Sequence, residues 1–200
     1  MSGRVYYPFD RREHCDPDVK FNPGRPIYVG VDFNIDPMSA CIMQPQTNGE
    51  LWVVDEIFLH NSNTLEVCEE LEKRYWRYMS QITIFPDPAG AARQHARGES
   101  DLEIFRQKGF KHIKFRRKHP LIADRVNSVN RLLKDAAGKT TLKVNPGCAN
   151  VVQSLEQTLY KAGSRDIDKA ASMEHITDAM GYCIELEHPV KKIVIYGHSL

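Results

Sequence analysis

The sequence predicts an α/β protein: a mixed central sheet, antiparallel in its first three strands and flanked by helices. Two observations carry this. Three β-rich segments follow one another over short connections, and helical periodicity then alternates with short apolar strands before a helical final third. Residues 1–26 are rich in charge, Pro and Gly and end in FNPGRP, which predicts a lead-in arm with little regular structure. IYVGVDF (27–33), MSACIMQ (38–44) and LWVVDEIFL (51–59) form an antiparallel meander through the IDP and QTNGE turns. Asn63 and Glu66 suggest a capping box for a helix running to about Met79, on which Leu65, Cys68, Leu71, Tyr75 and Tyr78 recur at helical spacing. QITIFPD (81–87) is a buried-type strand, followed by a helix near 102–108 and a strand near 112–115. Then come a helix over 121–136, one strand of a hairpin in 140–147, a helix over 149–160 and a last long helix, MEHITDAMGYCIE (173–185). A domain over 27–188 with a tail over 189–200 follows from this order.

At 200 residues the chain suits one domain with a full core. A net charge of +1 means that any nucleic-acid binding must come from uneven placement of charge. Five scattered cysteines without CxxC spacing argue against a disulfide framework and a structural zinc site, and point to a reducing compartment. No apolar run approaches the roughly 20 residues that span a bilayer, so no membrane role is expected.

The chemistry rests on acids. Asp32 lies inside the first strand, where strand propensity disfavours it and an unpaired buried charge is costly. Asp87 ends the fourth strand between Pro86 and Pro88, which fix the chain on both sides. A crossover through the first long helix would set the fourth strand beside the first, and the two carboxylates would meet. On the last helix His175 and Asp178 share one face, with Ile176, Met180 and Cys183 as an apolar stripe on another. Three acids gathered at one sheet edge repel one another, and the usual remedy is a hard divalent cation, magnesium or manganese. Two of the acids also have an ordinary structural use, Asp87 in a turn between prolines and Asp178 on a solvated helix face, whereas a strand-interior Asp32 flanked by Val31 and Phe33 has little. Of the Asp55–Glu56 pair, Glu56 is the better candidate to support the site from outside the metal ligands.

Taken together, VYYPFDRREH, YVGVDFNIDPMSA, ITIFPDPAG, DRVNSVNRLL, LKVNPGC and HITDAMGY resemble, in order and spacing, the nuclease domain of tailed-bacteriophage terminase large subunits, within the RNase H-like nucleases. The resemblance covers most of the chain, and HITDAMGY is its most specific part. It implies an RNase H-like fold, with Asp32, Asp87 and Asp178 as metal-binding acids and two-metal phosphodiester hydrolysis. Asp32 would bridge both ions, and the product would carry a 5′ phosphate. His175 matches a histidine one helical turn before the third acid; it would bind metal, hydrogen-bond the water or orient Asp178. The implied substrate is double-stranded viral DNA. The implied partners are an ATPase domain, a small terminase subunit and the portal protein, in the host cytoplasm and transiently at the procapsid portal. No GxxxxGK[ST] loop occurs, so a nuclease domain without its motor, excised or separately encoded and monomeric, is expected.

RQKGFKHIKFRRK (106–118) carries seven basic residues and no acid. Beside an acidic cluster such a stretch would grip DNA backbone without reading sequence, through Lys111, Lys114, Arg116, Arg117 and Lys118, extended by Arg125 and Arg131 on the next helix. The 140–147 hairpin would lie against the duplex. Competing readings are a transposase or integrase, which normally ends its acid set in Glu, a Holliday-junction resolvase-like nuclease, which shares the Asp ending, and a catalytically silent module that docks on DNA and portal. An actin-like ATPase would need Gly-rich phosphate loops that the sequence lacks.

Overall fold

The computed structural model describes residues 3–91, 99–170 and 172–190; most of the predicted tail lies outside them. The elements are α1 (Arg11–His14), β1 (Ile27–Asp32), β2 (Met38–Pro45), β3 (Leu51–Leu59), α2 (Thr64–Tyr75), β4 (Ile82–Pro86), α3 (Asp101–Gln107), β5 (His112–Ile113), α4 (Ile122–Leu133), β6 (Leu142–Val144), α5 (Ala149–Gln157) and α6 (His175–Glu187). They build one six-stranded sheet in the order β5-β4-β1-β2-β3-β6. The first three strands are antiparallel, and β4 runs parallel to β1. The predicted crossover thus sets the fourth strand beside the first.

Strand alternation sorts the core into two faces. Ile27, Val29 and Val31 point to one face, where they pack with Val67, Cys68 and Leu71 of α2 and with Leu102 and Phe105 of α3. Cys41, Met43, Val53 and Phe85 point to the other, against Val126 and Val129 of α4, Val151 and Leu155 of α5, and Ala179, Met180 and Cys183 of α6. Each large apolar side chain fully buried in this way contributes about 1.5–3 kcal/mol. Gly30 shares this second face, and a Cβ there would lie 2.0 Å from the Ala179 carbonyl oxygen. The backbone of α6 therefore rests directly on β1, which requires a glycine at position 30; Gly30→Ala would push the helix off the sheet.

This seat explains why α6 is more than amphipathic. Every residue from His175 to Glu185 is buried, because β1 and β2 cover one side and α4 and α5 the other.

Two local expectations are corrected, and the lead-in segment, short of regular structure as predicted, is packed against the rest. Residues 142–144 form no hairpin: β6 pairs parallel with Leu51–Val53 of β3 at the sheet edge. At the start of α2, Asn63 caps the Glu66 amide, but the Glu66 carboxylate accepts from the Ser62 hydroxyl at 2.6 Å, so the box is half formed. The 3–26 segment has only one short helix, yet Val5, Tyr6, Phe9 and Val19 are buried and the His14 ring donates to or accepts from neighbours on both sides, with Nε2 2.9 Å from the Leu133 carbonyl. Its apolar side chains are part of the core.

Candidate active site

Asp32 ends β1 on the same face as Gly30, so its carboxylate points toward α6. In the neighbouring parallel strand Val31 pairs with Pro86, and the Asp87 amide donates to the Val31 carbonyl at 2.9 Å. Both acids consequently leave the carboxyl ends of adjacent strands, with α6 crossing above them. The first turns of α6 supply His175 and Asp178. Asp32, Asp87, His175 and Asp178 line one cleft of about 290 Å³. In its wall Phe33 lies against Gly90; a Cβ at 90 would sit 2.1 Å from the ring.

The cleft is densely charged and two of its acids are buried. Asp32 is 6% exposed and Asp178 8%. Burial pushes the Asp178 carboxyl up to about 6, the Arg125 guanidinium holding it down in part and the Asp32 charge raising it further. The His175 Nδ1 is 3.0 Å from Asp32 Oδ2, with the Asn34 amide against the same nitrogen. Burial of this ring works against its charge, but the Asp32 hydrogen bond and the charges of Glu174, Asp32 and Asp178 outweigh it, so its pKa is raised. Asp87 is half-buried, accepts from the Ala89 amide at 2.9 Å and faces His119 Nε2 at 3.4 Å.

The donor set is oxygen-rich, which suits a hard cation such as magnesium or manganese. Among the described residues no three His, Cys, Asp or Glu side chains are arranged to enclose one ion by themselves. Carboxylates shared between ions, with water or phosphate completing the shell, fit such an open arrangement.

Two predicted assignments change. Arg125 does not extend a surface track: it is 7% exposed, with Nη1 3.2 Å from Asp178 Oδ1 and the guanidinium 4.4 Å from the Tyr182 ring centroid. Glu56 does not support the acids. Its carboxylate accepts from the Asn150 amide at 3.0 Å, the Asn150 side chain at 2.7 Å and the Val151 amide at 2.8 Å, which places it at the N-terminus of α5. In the basic stretch, Arg116 pairs with Glu185 at 2.6 Å and Lys114 with Glu187 at 3.1 Å, so both are tied to α6. Lys111, Arg117 and Lys118 project from the same stretch, and His119, next in the chain, reaches Asp87. Arg117 and Lys118 adjoin His119 on the Asp87 side, whereas Lys111 precedes β5 beside the start of β4, at the other end of that strand from Asp87. Arg131 donates to the His188 carbonyl at 2.7 Å.

No local pattern marked Glu174 or Lys169. Glu174 is 1% exposed and, among the described residues, neither carboxylate oxygen has a hydrogen bond; its nearest charges are Lys169 Nζ at 3.7 Å and His175 Nε2 at 3.8 Å. Lys169 lines the cleft from an irregular loop, where no periodicity singles it out. Tyr182 was within reach of a pattern argument, since it lies one turn beyond Asp178 on the same helix face.

The backbone as a whole matches solved structures. The large terminase of a thermophilic bacteriophage superposes with a TM-score of 0.74 at 21% identity, over 92% of this chain and 44% of that one. The P22 large terminase nuclease domain gives 0.68 at 13% identity over 94% of both chains. The nuclease domain of g2p, the large terminase of bacteriophage SPP1, solved with bound Mn, gives 0.61 at 18% identity over 87% of this chain and 92% of that one. This chain spans less than half the length of the first of these proteins. No protein-family model matches the sequence, and no curated protein matches it significantly. At these identities the likeness establishes architecture: this chain has the RNase H-like fold of the large-terminase nuclease domains.

Proposed function

We propose that this chain is a metal-dependent endonuclease that cuts double-stranded viral DNA with little sequence preference during genome packaging, as the nuclease part of a terminase large subunit. The observation that carries this reading is the convergence of Asp32, Asp87 and Asp178, from β1, β4 and α6, in one cleft of this fold. The manganese in the SPP1 nuclease domain supports a divalent cation here. The proposed partners are an ATPase domain, a small terminase subunit and the portal protein, met in the host cytoplasm and at the procapsid portal. By itself the chain acts as a monomer.

Asp32, Asp87 and Asp178 would hold two ions, Mg²⁺ or Mn²⁺. The chemistry such ions would supply is a lowered pKa for an attacking water and neutralisation of the departing 3′ oxygen. The protein's own groups then have separate tasks. His175, with Nδ1 in hydrogen-bond contact with Asp32, helps to fix that carboxylate. Arg125 holds Asp178 on its Oδ1 side. Arg117 and Lys118, next to His119, would hold DNA phosphates beside the cleft, and Lys111 would hold them further along the sheet edge, contacts that carry no sequence information. Phe33 and Gly90 pack together in the wall of the cleft.

The test is cleavage of supercoiled plasmid in Mn²⁺, Mg²⁺ or EDTA by the native chain and by Asp32→Asn. Metal-dependent cutting that falls at least about a thousandfold in the variant is expected, on the scale of losing a central electrostatic group. Cutting retained by Asp32→Asn would overturn the site. Intact DNA binding without cutting by either protein would favour the docking module.

A further inference from the structure

The cleft contains two cations of very different character. Lys169 stands on a loop with its side chain 60% exposed, whereas the Arg125 side chain is only 8% exposed. The Arg125 stem passes Gly181, whose missing Cβ would sit 3.6 Å from its Cβ, and its guanidinium stacks on Tyr182. Among the described residues its Nε and Nη1 have no hydrogen-bond partner. A buried guanidinium with unfilled donors is costly unless a nearby charge offsets it, and here that charge is Asp178. Asp87, at the end of the neighbouring strand β4, faces His119, whose side chain is 54% exposed. The three acids therefore do not present equal faces to an incoming cation: one is already neutralised by a fixed positive group.

We propose that Arg125 is the resident counter-ion of Asp178 and makes the two cation positions unequal. The inference rests on the two-metal reading above. A divalent ion on the Asp87 side of Asp32 meets carboxylates with no buried guanidinium beside them and binds first. An ion on the Asp178 side shares that carboxylate with a guanidinium that packing prevents from leaving, and so binds second and more weakly. Cutting then waits on the second ion, and Arg125 keeps the cleft assembled when only one is present.

Calorimetric titration of Mn²⁺ into the metal-stripped full chain, without DNA, tests this apart from activity. The native protein should show two steps of unequal affinity, and Asp178→Asn should remove the weaker while leaving the tighter in place. Arg125→Gln should tighten the weaker step by about tenfold, whereas Arg125→Lys, which keeps the charge, should leave the steps unequal. Two equal steps in the native protein, loss of the tighter step in Asp178→Asn, or an Arg125→Gln that binds no tighter would each overturn the inference. If Arg125→Gln fails to fold, the native and Asp178→Asn titrations still decide. Absence of any Mn²⁺ binding by the native protein would overturn the two-metal reading and this inference with it.

Discussion

Glu56 and Glu174 each stand at the N-terminus of a helix, and the chain treats them in opposite ways. At α5 the helix's own cap, Cys148, offers no side-chain hydrogen bond, and Glu56 reaches across from β3 to accept from three donors there. At α6, Glu174 is itself the cap residue, more deeply buried than Glu56, and both its oxygens are left without a hydrogen bond among the described residues. A carboxylate satisfied by helix amides is a structural bolt. One buried beside other acids and left unsatisfied is tolerated only where the surroundings serve another purpose. The difference separates a carboxylate that holds the fold from one that borders the proposed site.

The greatest change should come from a substitution that tests this division directly. Asp178→Asn, in the unsatisfied region, should lower the cleavage rate by about a thousandfold, because the substitution removes one carboxylate of the proposed metal site while preserving shape. Glu56→Ala, in the satisfied region, should leave the rate of the folded protein within about twofold at a temperature well below its melting point. Plasmid-cleavage time courses on matched amounts of folded protein decide; a large rate loss in Glu56→Ala would erase the distinction.

Stability should show the reverse pattern on a smaller scale. Glu56→Gln weakens charge-assisted bonds to the α5 amides and should cost about 2 kcal/mol, roughly 4–8 °C in melting temperature for a chain of this size. Glu174→Gln removes a buried charge that has no hydrogen bond, so in EDTA the melting temperature should rise by a few degrees. Thermal melts of the three proteins side by side check both signs. A fall in Glu174→Gln would mean that its ion pairs with Lys169 and His175 hold the α6 start together.

How much of this could be read in the chain depends on the range of the interaction. Asp32 stood out because an acid inside a strand contradicts local propensity, and Asp87 because prolines bracket a strand end; both are signals within a few residues. The meeting of β1 and β4 followed from chain topology, and the register confirms it through Val31 and Pro86. Glu56 was misplaced because its donors lie 94 residues further on, and nothing near it in sequence names them. Arg125 looked like a surface cation for the same reason: the Tyr182 ring that covers it and the Asp178 that it neutralises come from another helix. The parallel pairing of β6 with β3 was hidden likewise, since a short strand after a turn reads locally as half a hairpin.

A last and more modest change carries the comparison over to the cations. Lys118 and Arg116 sit two residues apart in the same basic stretch, but Arg116 commits its charge to Glu185 at 2.6 Å while Lys118 is exposed, with no ion pair among the described residues. A phosphate contact from Lys118 would release counterions on binding, so Lys118→Ala should weaken duplex binding uniformly across sequences. It should also lower the slope of log affinity against log salt by about one. Arg116→Ala should change that slope far less, because the guanidinium is already neutralised, and should instead loosen the end of α6 by freeing Glu185. Fluorescence anisotropy of a labelled duplex, in a catalytically silent background and over a range of salt, reads both. Equal slope changes would show that DNA can pull Arg116 from its partner, and that an ion pair at the rim, unlike one in the cleft, is no guide to what a side chain is for.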